Sequence, residues 1–229
     1  PRTLLRGARR PQIALVGLPR TGKSTIFQAA SSTSVEAGVL AGSALSFSTC
    51  QVNIGLEQAT LVDLPPLKTF HDIEDADRLV LSALLDGAAG FKAPDLLIQV
   101  VDATALEPNL AFAQELCQLG KPLVIALNRL DEAREKGIYI NVAALSEALG
   151  VPVVPTVAHM GKGIGSLFET ALELLRAGRC PLSQSPGQHL LKALAPLNAI
   201  LDQPVVEAAI RVPRSLLLTQ IARGENRSV

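Results

Sequence analysis

The 229-residue sequence contains no tryptophan, one tyrosine, one methionine and three cysteines. Aromatic residues make up only 3% of it, so any core must be built from aliphatic side chains. Cys50, Cys117 and Cys180 are odd in number, widely separated and without metal-ligand spacing, which fits a reducing compartment better than a disulfide framework. They read as small buried or partly buried hydrophobes. His71, His159 and His189 are scattered, and no His/Cys/Asp/Glu cluster has ligand spacing. Net charge is lacking too: Lys+Arg and Asp+Glu are equal at 21 each, with a pI near 7.3, which argues against a broad basic surface for nucleic acid. No run of about 18 apolar residues is present to cross a membrane, and the basic stretch 1–10 lacks the apolar core of a signal peptide.

Aliphatic residues dominate instead. The hydrophobic fraction is 48% and the mean hydropathy +0.31, high for a soluble domain, so a partner surface is expected. A chain starting at Pro1 also reads as a processed or excised piece. Its length suffices for one main domain and a small second one.

The most informative stretch is Gly17-Leu18-Pro19-Arg20-Thr21-Gly22-Lys23-Ser24. It follows the apolar run Ile13 to Val16 and opens a helix-like segment, Thr25 to Ala30. This is a phosphate-binding loop in its expected setting: successive N–H groups curl round a polyphosphate, Lys23 reaches the outer phosphates, and the Ser24 hydroxyl is offered to magnesium. The helix N-terminus behind it adds unpaired donors and a favourable dipole.

Along the chain, Arg2, Arg6, Arg9 and Arg10 form a basic arm over 1–10, expected to be solvated and frayed. Residues 31–48 are rich in Ser, Ala and Gly, and predict a long mobile loop. Cys50 to Ile54 and Ala59 to Asp63 predict two strands joined at Gly55. The second ends at Asp63, where a carboxylate can hold magnesium through water. Residues 68–77 read as a polar flexible segment, and Arg78 to Leu85 as a helix closed by Gly87 and Gly90. Strands follow at Leu96 to Asp102, Leu123 to Leu127 and Val151 to Val154. Helices are predicted at Asn109 to Leu119, from an Asn141 cap to Leu149, and at Ser166 to Ala177. The alternation predicts an α/β layered fold with a mostly parallel central sheet flanked by helices and ligands at the strand carboxyl ends. From Arg179 the composition turns to Pro, Ser and Gln, a linker before helical periodicity at 188–201 and 213–222.

Asn128 and Asp131, after the strand Leu123 to Leu127, supply an amide for a purine ring and a carboxylate that accepts two N–H groups of guanine. The alternative is a helix cap by Asp131 with Asn128 in a turn. After the last strand, the Ala158 N–H is a candidate donor to the guanine oxygen.

On these motifs the chain resembles the cytosolic G domain of FeoB-type ferrous iron uptake proteins, within the translation-factor-related GTPases. The likeness is strongest over 94–174, in Asp95 to Leu110, Leu123 to Asp131 and Leu149 to Thr156, and the phosphate loop adds a second match. The resemblance implies a P-loop GTPase (Ras-like) fold over 11–178 and a reduced helical subdomain over 179–229. It implies GTP or GDP bound with Mg2+. Gly17, Arg20, Thr21, Gly22, Lys23, Ser24 and Thr25 would lie at the phosphates, Ser24 and Asp63 at magnesium, and Asn128, Asp131 and Ala158 at the guanine. It further implies attachment to, or action beside, a membrane permease at the cytoplasmic face of the inner membrane. Ferrous iron specificity rests on the resemblance alone.

The departures bear on activity. The family usually has Asp-x-Pro-Gly where this chain has Asp63-Leu64-Pro65-Pro66, and Pro66 has no N–H to sense a third phosphate. The first-switch threonine is replaced within Gly42-Ser43-Ala44-Leu45; Ala44 cannot coordinate magnesium, which leaves Ser43 or Ser46 in another register. Arg20 stands where the family commonly has an asparagine linked to potassium-stimulated hydrolysis. Its guanidinium either occupies that cation's place or is an exposed loop arginine. Val157 replaces the serine usual before the base-loop alanine. Weak GTP hydrolysis is therefore expected, with no confident general base. The alternatives are a non-hydrolysing, nucleotide-dependent interaction module and a ribosome- or RNA-associated GTPase, against which the neutral charge counts. Leu190, Leu191, Leu194 and Leu197 are expected to pack on the G domain or on a second chain, as in a homo-oligomer.

Overall fold

The computed structural model describes residues 10–68 and 75–178. The basic arm at 1–9, the segment 69–74 and the expected linker and helical tail at 179–229, with Cys180, His71, His189 and the Leu190 to Leu197 face, lie outside the described residues.

The central sheet has seven strands, in the order β2-β3-β4-β1-β7-β8-β9. Strand β1, Gln12–Val16, lies between β4, Glu57–Asp63, and β7, Leu96–Asp102, parallel to both. Strands β8, Leu123–Asn128, and β9, Val153–Pro155, extend the parallel part. On the other side β3, Ser46–Ile54, pairs antiparallel with β4 and with β2, Glu36–Val39. Strands β1, β7 and β8 are mainly apolar on both faces because helices cover both, with Gln99 of β7 a buried exception, its Nε2 donating to the Asn109 carbonyl.

One face packs against α2, Asp75–Asp86, and α3, Leu106–Cys117, around Val16, Val62, Leu84, Phe112 and Leu127. The other is covered by α1, Lys23–Ala30, and α6, Ile164–Ala177, around Leu15, Ile26, Ile98, Leu167 and Phe168. With so few aromatics, only one ring pair is recorded among the described residues, Phe47 against Phe91, edge to face at 4.9 Å. Helix α6 is also tied to the start of β4 by an Arg176–Glu57 ion pair. Cys50 is buried and Cys117 partly so, and burial pushes both thiols up, that of Cys117 to about 11.

The structure corrects several sequence expectations. The loop predicted over 31–48 contains β2 and the start of β3, because its small residues serve packing: a Cβ on Gly38 would come within 2.3 Å of the Phe47 ring. Helix α2 starts at Asp75, inside the expected flexible segment, and the glycines after it form a two-strand hairpin, β5 Gly87–Ala88 with β6 Phe91–Lys92. Helix α3 starts at Leu106, and Pro108 sits in its first turn, where no N–H is needed. Helix α4, Leu130–Glu135, starts at the place the alternative reading gave a helix, but its cap is Arg129 and not Asp131, and β9 runs to Pro155. The capped helix is found as expected: α5 is Val142–Leu149, the Ala144 N–H donates to Asn141 Oδ1, and Gly150 ends it at φ +66°.

Candidate functional site

The carboxyl ends of β1, β4, β7, β8 and β9 carry the loops that form the site. The loop after β1 depends on glycine: a Cβ on Gly17 would stand 2.7 Å from the Val100 carbonyl oxygen, and one on Gly22, at φ +97°, would stand 2.3 Å from Asn128 Nδ2. Between them Arg20 is left-handed at φ +65°, a conformation that costs an L-residue roughly 1–2 kcal/mol. Its side chain is exposed, as is that of Thr25. The Thr21 hydroxyl donates to the Leu18 carbonyl at 3.1 Å and rigidifies the turn. Gly22 is the N-cap of α1 with no side-chain hydrogen bond over it, so the helix presents open N–H groups to the loop.

Lys23 is buried at the first position of α1, and its Nζ donates to the Gly17 carbonyl at 3.3 Å. Burial pulls its pKa down, and Asp63 only partly offsets this. The Ser24 hydroxyl donates to Asp63 Oδ2 at 3.0 Å, whereas Asp63 Oδ1 is buried without a hydrogen-bond partner. Burial raises the Asp63 pKa against the opposing effects of Ser24 and Lys23. A hydroxyl beside a carboxylate with an unpartnered oxygen fits Mg2+, which takes one or two protein oxygens and completes its shell with phosphate and water. Among the described residues no group of three His, Cys, Asp or Glu could hold a metal by itself.

After Asp63 the chain returns to the phosphate loop. The Leu67 N–H donates to the Gly17 carbonyl at 3.4 Å, and Leu67 is 1% exposed. Pro66 is exposed beside it. Of the hydroxyls expected to replace the missing switch threonine, that of Ser43 is used locally, donating to the Leu40 carbonyl at 2.9 Å and accepting from the Leu45 N–H at 3.1 Å. Ser46 is exposed at the start of β3.

The opposite side of the candidate site is built round Asn128, the last residue of β8 and 3% exposed. Its Nδ2 donates to the Thr21 carbonyl at 3.0 Å, and its Oδ1 accepts from the Ala158 N–H at 3.0 Å and the Thr156 hydroxyl at 3.4 Å. Both oxygen lone pairs are thus used, and one amide N–H remains. The Ala158 N–H, expected to face a guanine oxygen, is here donated to Asn128.

Asp131 sits in the first turn of α4. Its Oδ1 is buried without a partner, and its Oδ2 lies 3.5 Å from His159 Nε2. Arg129, left-handed at φ +62°, fixes the turn before it by donating from Nη1 to Asp102 Oδ2 at 3.0 Å. Asp102 Oδ1 in turn accepts from the Thr104 N–H and hydroxyl, each at 2.8 Å. Sequence reading missed Leu67, Asp102, Thr156 and His159 as site residues. Asp102, at the carboxyl end of a core strand, and His159, next to Ala158, carried a positional signal.

The family model described as ferrous iron transport protein B matches residues 11–171. The chain belongs to this family. The Fe(2+) transporter FeoB of Escherichia coli K12 is 38% identical over 159 residues, covering 68% of this chain and 20% of the transporter. The chain thus spans about one fifth of the length of the FeoB relatives it matches. Among solved structures, the FeoB G domain of Methanococcus jannaschii is 31% identical with a TM-score of 0.62, covering 73% of this chain and 99% of that one. The cytosolic domain of T. maritima FeoB in a GDP form, at 21% identity, shares the fold with a TM-score of 0.82 over 96% of this chain and 84% of that one. Residues Gln12 to Ala177 therefore carry the P-loop GTPase fold of FeoB G domains. No helix among the described residues is long and apolar enough to cross a membrane.

Proposed function

We propose that this chain binds GDP and GTP with Mg2+ and hydrolyses GTP slowly, as the regulatory nucleotide-binding part of a ferrous iron transporter. The observation that carries this reading is the Asn128 bridge between Thr21 and Ala158, which joins a phosphate-binding loop and a base-binding loop into one unit. A nucleotide is the ligand long enough to use both. The T. maritima relative is itself described in a GDP form.

In this reading the N–H groups from Gly17 through Gly22 and the start of α1 surround the phosphates. Lys23 leaves the Gly17 carbonyl for the outer phosphates, and Thr25 meets the inner one. Arg20 adds a guanidinium at the loop's rim. Ser24 and Asp63 hold Mg2+, which when bound neutralises phosphate charge. Asp131 accepts the guanine N–H groups, the remaining Asn128 N–H serves a ring nitrogen, and the Ala158 N–H is shared with the guanine oxygen. Adenine, with no N–H to give at the ring position facing Asp131, is rejected.

Turnover is slow because the third phosphate lacks two partners: Pro66 has no N–H and Ala44 no oxygen. The Leu67–Gly17 hydrogen bond favours a second reading, a non-hydrolysing module. It pins the segment after Asp63 to the phosphate loop without a third phosphate. The unit would work at the cytoplasmic face of the inner membrane, attached to or beside a permease, with ferrous iron as the permease's cargo.

Calorimetric titration with GDP, GTP and ATP, with and without Mg2+, tests base choice and metal together. Magnesium-dependent binding of guanine but not adenine nucleotide is expected; equal binding of ATP rejects the reading. Single-turnover assays then divide slow hydrolysis from none.

A further inference from the structure

We propose that His159 is a specificity-determining positioning residue that orients the Asp131 carboxylate for the guanine edge. The inference rests on the guanine-nucleotide reading above and deepens it. Asp131 is in an unusual position for a group meant to receive two N–H donors. Its Oδ1 is buried without a hydrogen-bond partner, so nothing on that oxygen fixes the torsion of the carboxylate. The base loop offers no hydroxyl beside Ala158 to do so, because the preceding residue is Val157. The recorded side-chain partner of Asp131 among the described residues is His159, with Nε2 at 3.5 Å from Oδ2.

The imidazole is well placed to act on the carboxylate. His159 lies in the 3-10 turn Ala158–Met160, immediately after the residue whose N–H donates to Asn128. The turn is closed by the pairing of Val157 with Lys162 and by Gly163, where a Cβ would strike the Pro155 carbonyl at 2.2 Å. The backbone under His159 is therefore held by hydrogen bonds on both sides of the turn, while its side chain is 59% exposed and has room to adjust by the few tenths of an ångström that would shorten the pair. Asn128 and Asp131 are thus each joined to the same turn, one through backbone and one through a side chain. An imidazole N–H donating to Oδ2 leaves that oxygen a second lone pair for the base. One ordinary hydrogen bond of this kind corresponds to about three- to tenfold in affinity.

The test measures GDP and inosine diphosphate (IDP) affinity by calorimetry on the full chain, for wild type, His159→Ala and His159→Gln. IDP lacks the exocyclic amine, so a misoriented carboxylate costs it less than it costs GDP. The expected results are a three- to tenfold weaker GDP affinity in H159A, a similar fall in the GDP to IDP preference, and recovery to within about twofold in H159Q, which keeps an N–H donor. Equal losses for GDP and IDP would assign His159 a merely structural part in the loop and overturn the proposal. So would an H159A protein that binds GDP as wild type does, or an H159Q protein no better than H159A. Wild type binding neither nucleotide would instead overturn the guanine reading itself, and the proposal with it. Because His159 is exposed, the variants are expected to fold, which a thermal midpoint close to that of wild type checks.

Discussion

Asn128 Nδ2 lies 3.0 Å from the carbonyl oxygen of Thr21, a hydrogen bond that spans 107 residues of sequence and joins the end of β8 to the loop between β1 and α1. The same nitrogen would be 2.3 Å from a Cβ at Gly22. The bridge consequently fixes both an asparagine and a glycine.

Asn128→Ala is expected to strand the Thr21 carbonyl and the Ala158 N–H in a buried site, destabilising the ligand-free protein by about 2–4 kcal/mol. Gly22→Ala is expected to destabilise it too, since the new Cβ collides with the amide and the residue must stay at positive φ. Urea denaturation measures both. An unchanged midpoint in N128A would show that the bridge does not hold the two loops together.

Asp63 gives a pH dependence whose sign is fixed. Its folded pKa is raised above the ordinary value of 3.8, chiefly by burial, so between the unfolded and folded pKa values the folded ligand-free protein binds more proton than the unfolded chain. The Asp63 contribution to stability is then fully present below the ordinary carboxylate range and is lost as pH rises through the raised pKa. Asp63→Asn removes this dependence. The ligand-free midpoint of wild type, relative to D63N, is expected to fall as pH rises from about 4 towards neutrality. Added Mg2+ with GDP should stabilise wild type more than D63N. Parallel pH curves for the two proteins would refute the buried-carboxylate account.

Pro66→Gly restores an N–H where the chain has none. The expected outcome is a three- to tenfold gain in the preference for a non-hydrolysable GTP analogue over GDP, the yield of about one hydrogen bond. Faster single-turnover hydrolysis should accompany it. The variant should also lose about 1 kcal/mol of stability, because glycine enlarges the unfolded ensemble. If the analogue preference stays flat, the Leu67–Gly17 contact, and not the missing N–H, keeps the segment insensitive.

Arg20 sets stability against binding. At φ +65°, Arg20→Gly should raise ligand-free stability by about 1 kcal/mol while weakening GTP binding through loss of the guanidinium. Opposite signs in melting and titration are the signature. A variant altered in stability alone would make Arg20 a plain loop residue.

Much of this protein was legible in its sequence. The buried parallel strands β1 and β8 carry continuous aliphatic runs and β7 one broken by Gln99, Asn141 and Gly150 bracket α5, and the phosphate loop sits between strand and helix, because local chemistry and the parallel-sheet pattern act over a few neighbouring residues. Strand β2 was hidden, since its exposed, small-residue sequence is held only by pairing with β3 and by the Phe47 ring over Gly38. Which residues are candidates for the site was set out by motif; how they are joined was not. The Asn128 bridge, the Leu67 contact with Gly17 and the His159–Asp131 pair all link residues far apart or on different loops, and such contacts exist only once the β1, β4, β8 and β9 ends have been brought side by side. The sequence determined the residue types of the candidate site, and the tertiary structure decided which of their polar atoms were already taken.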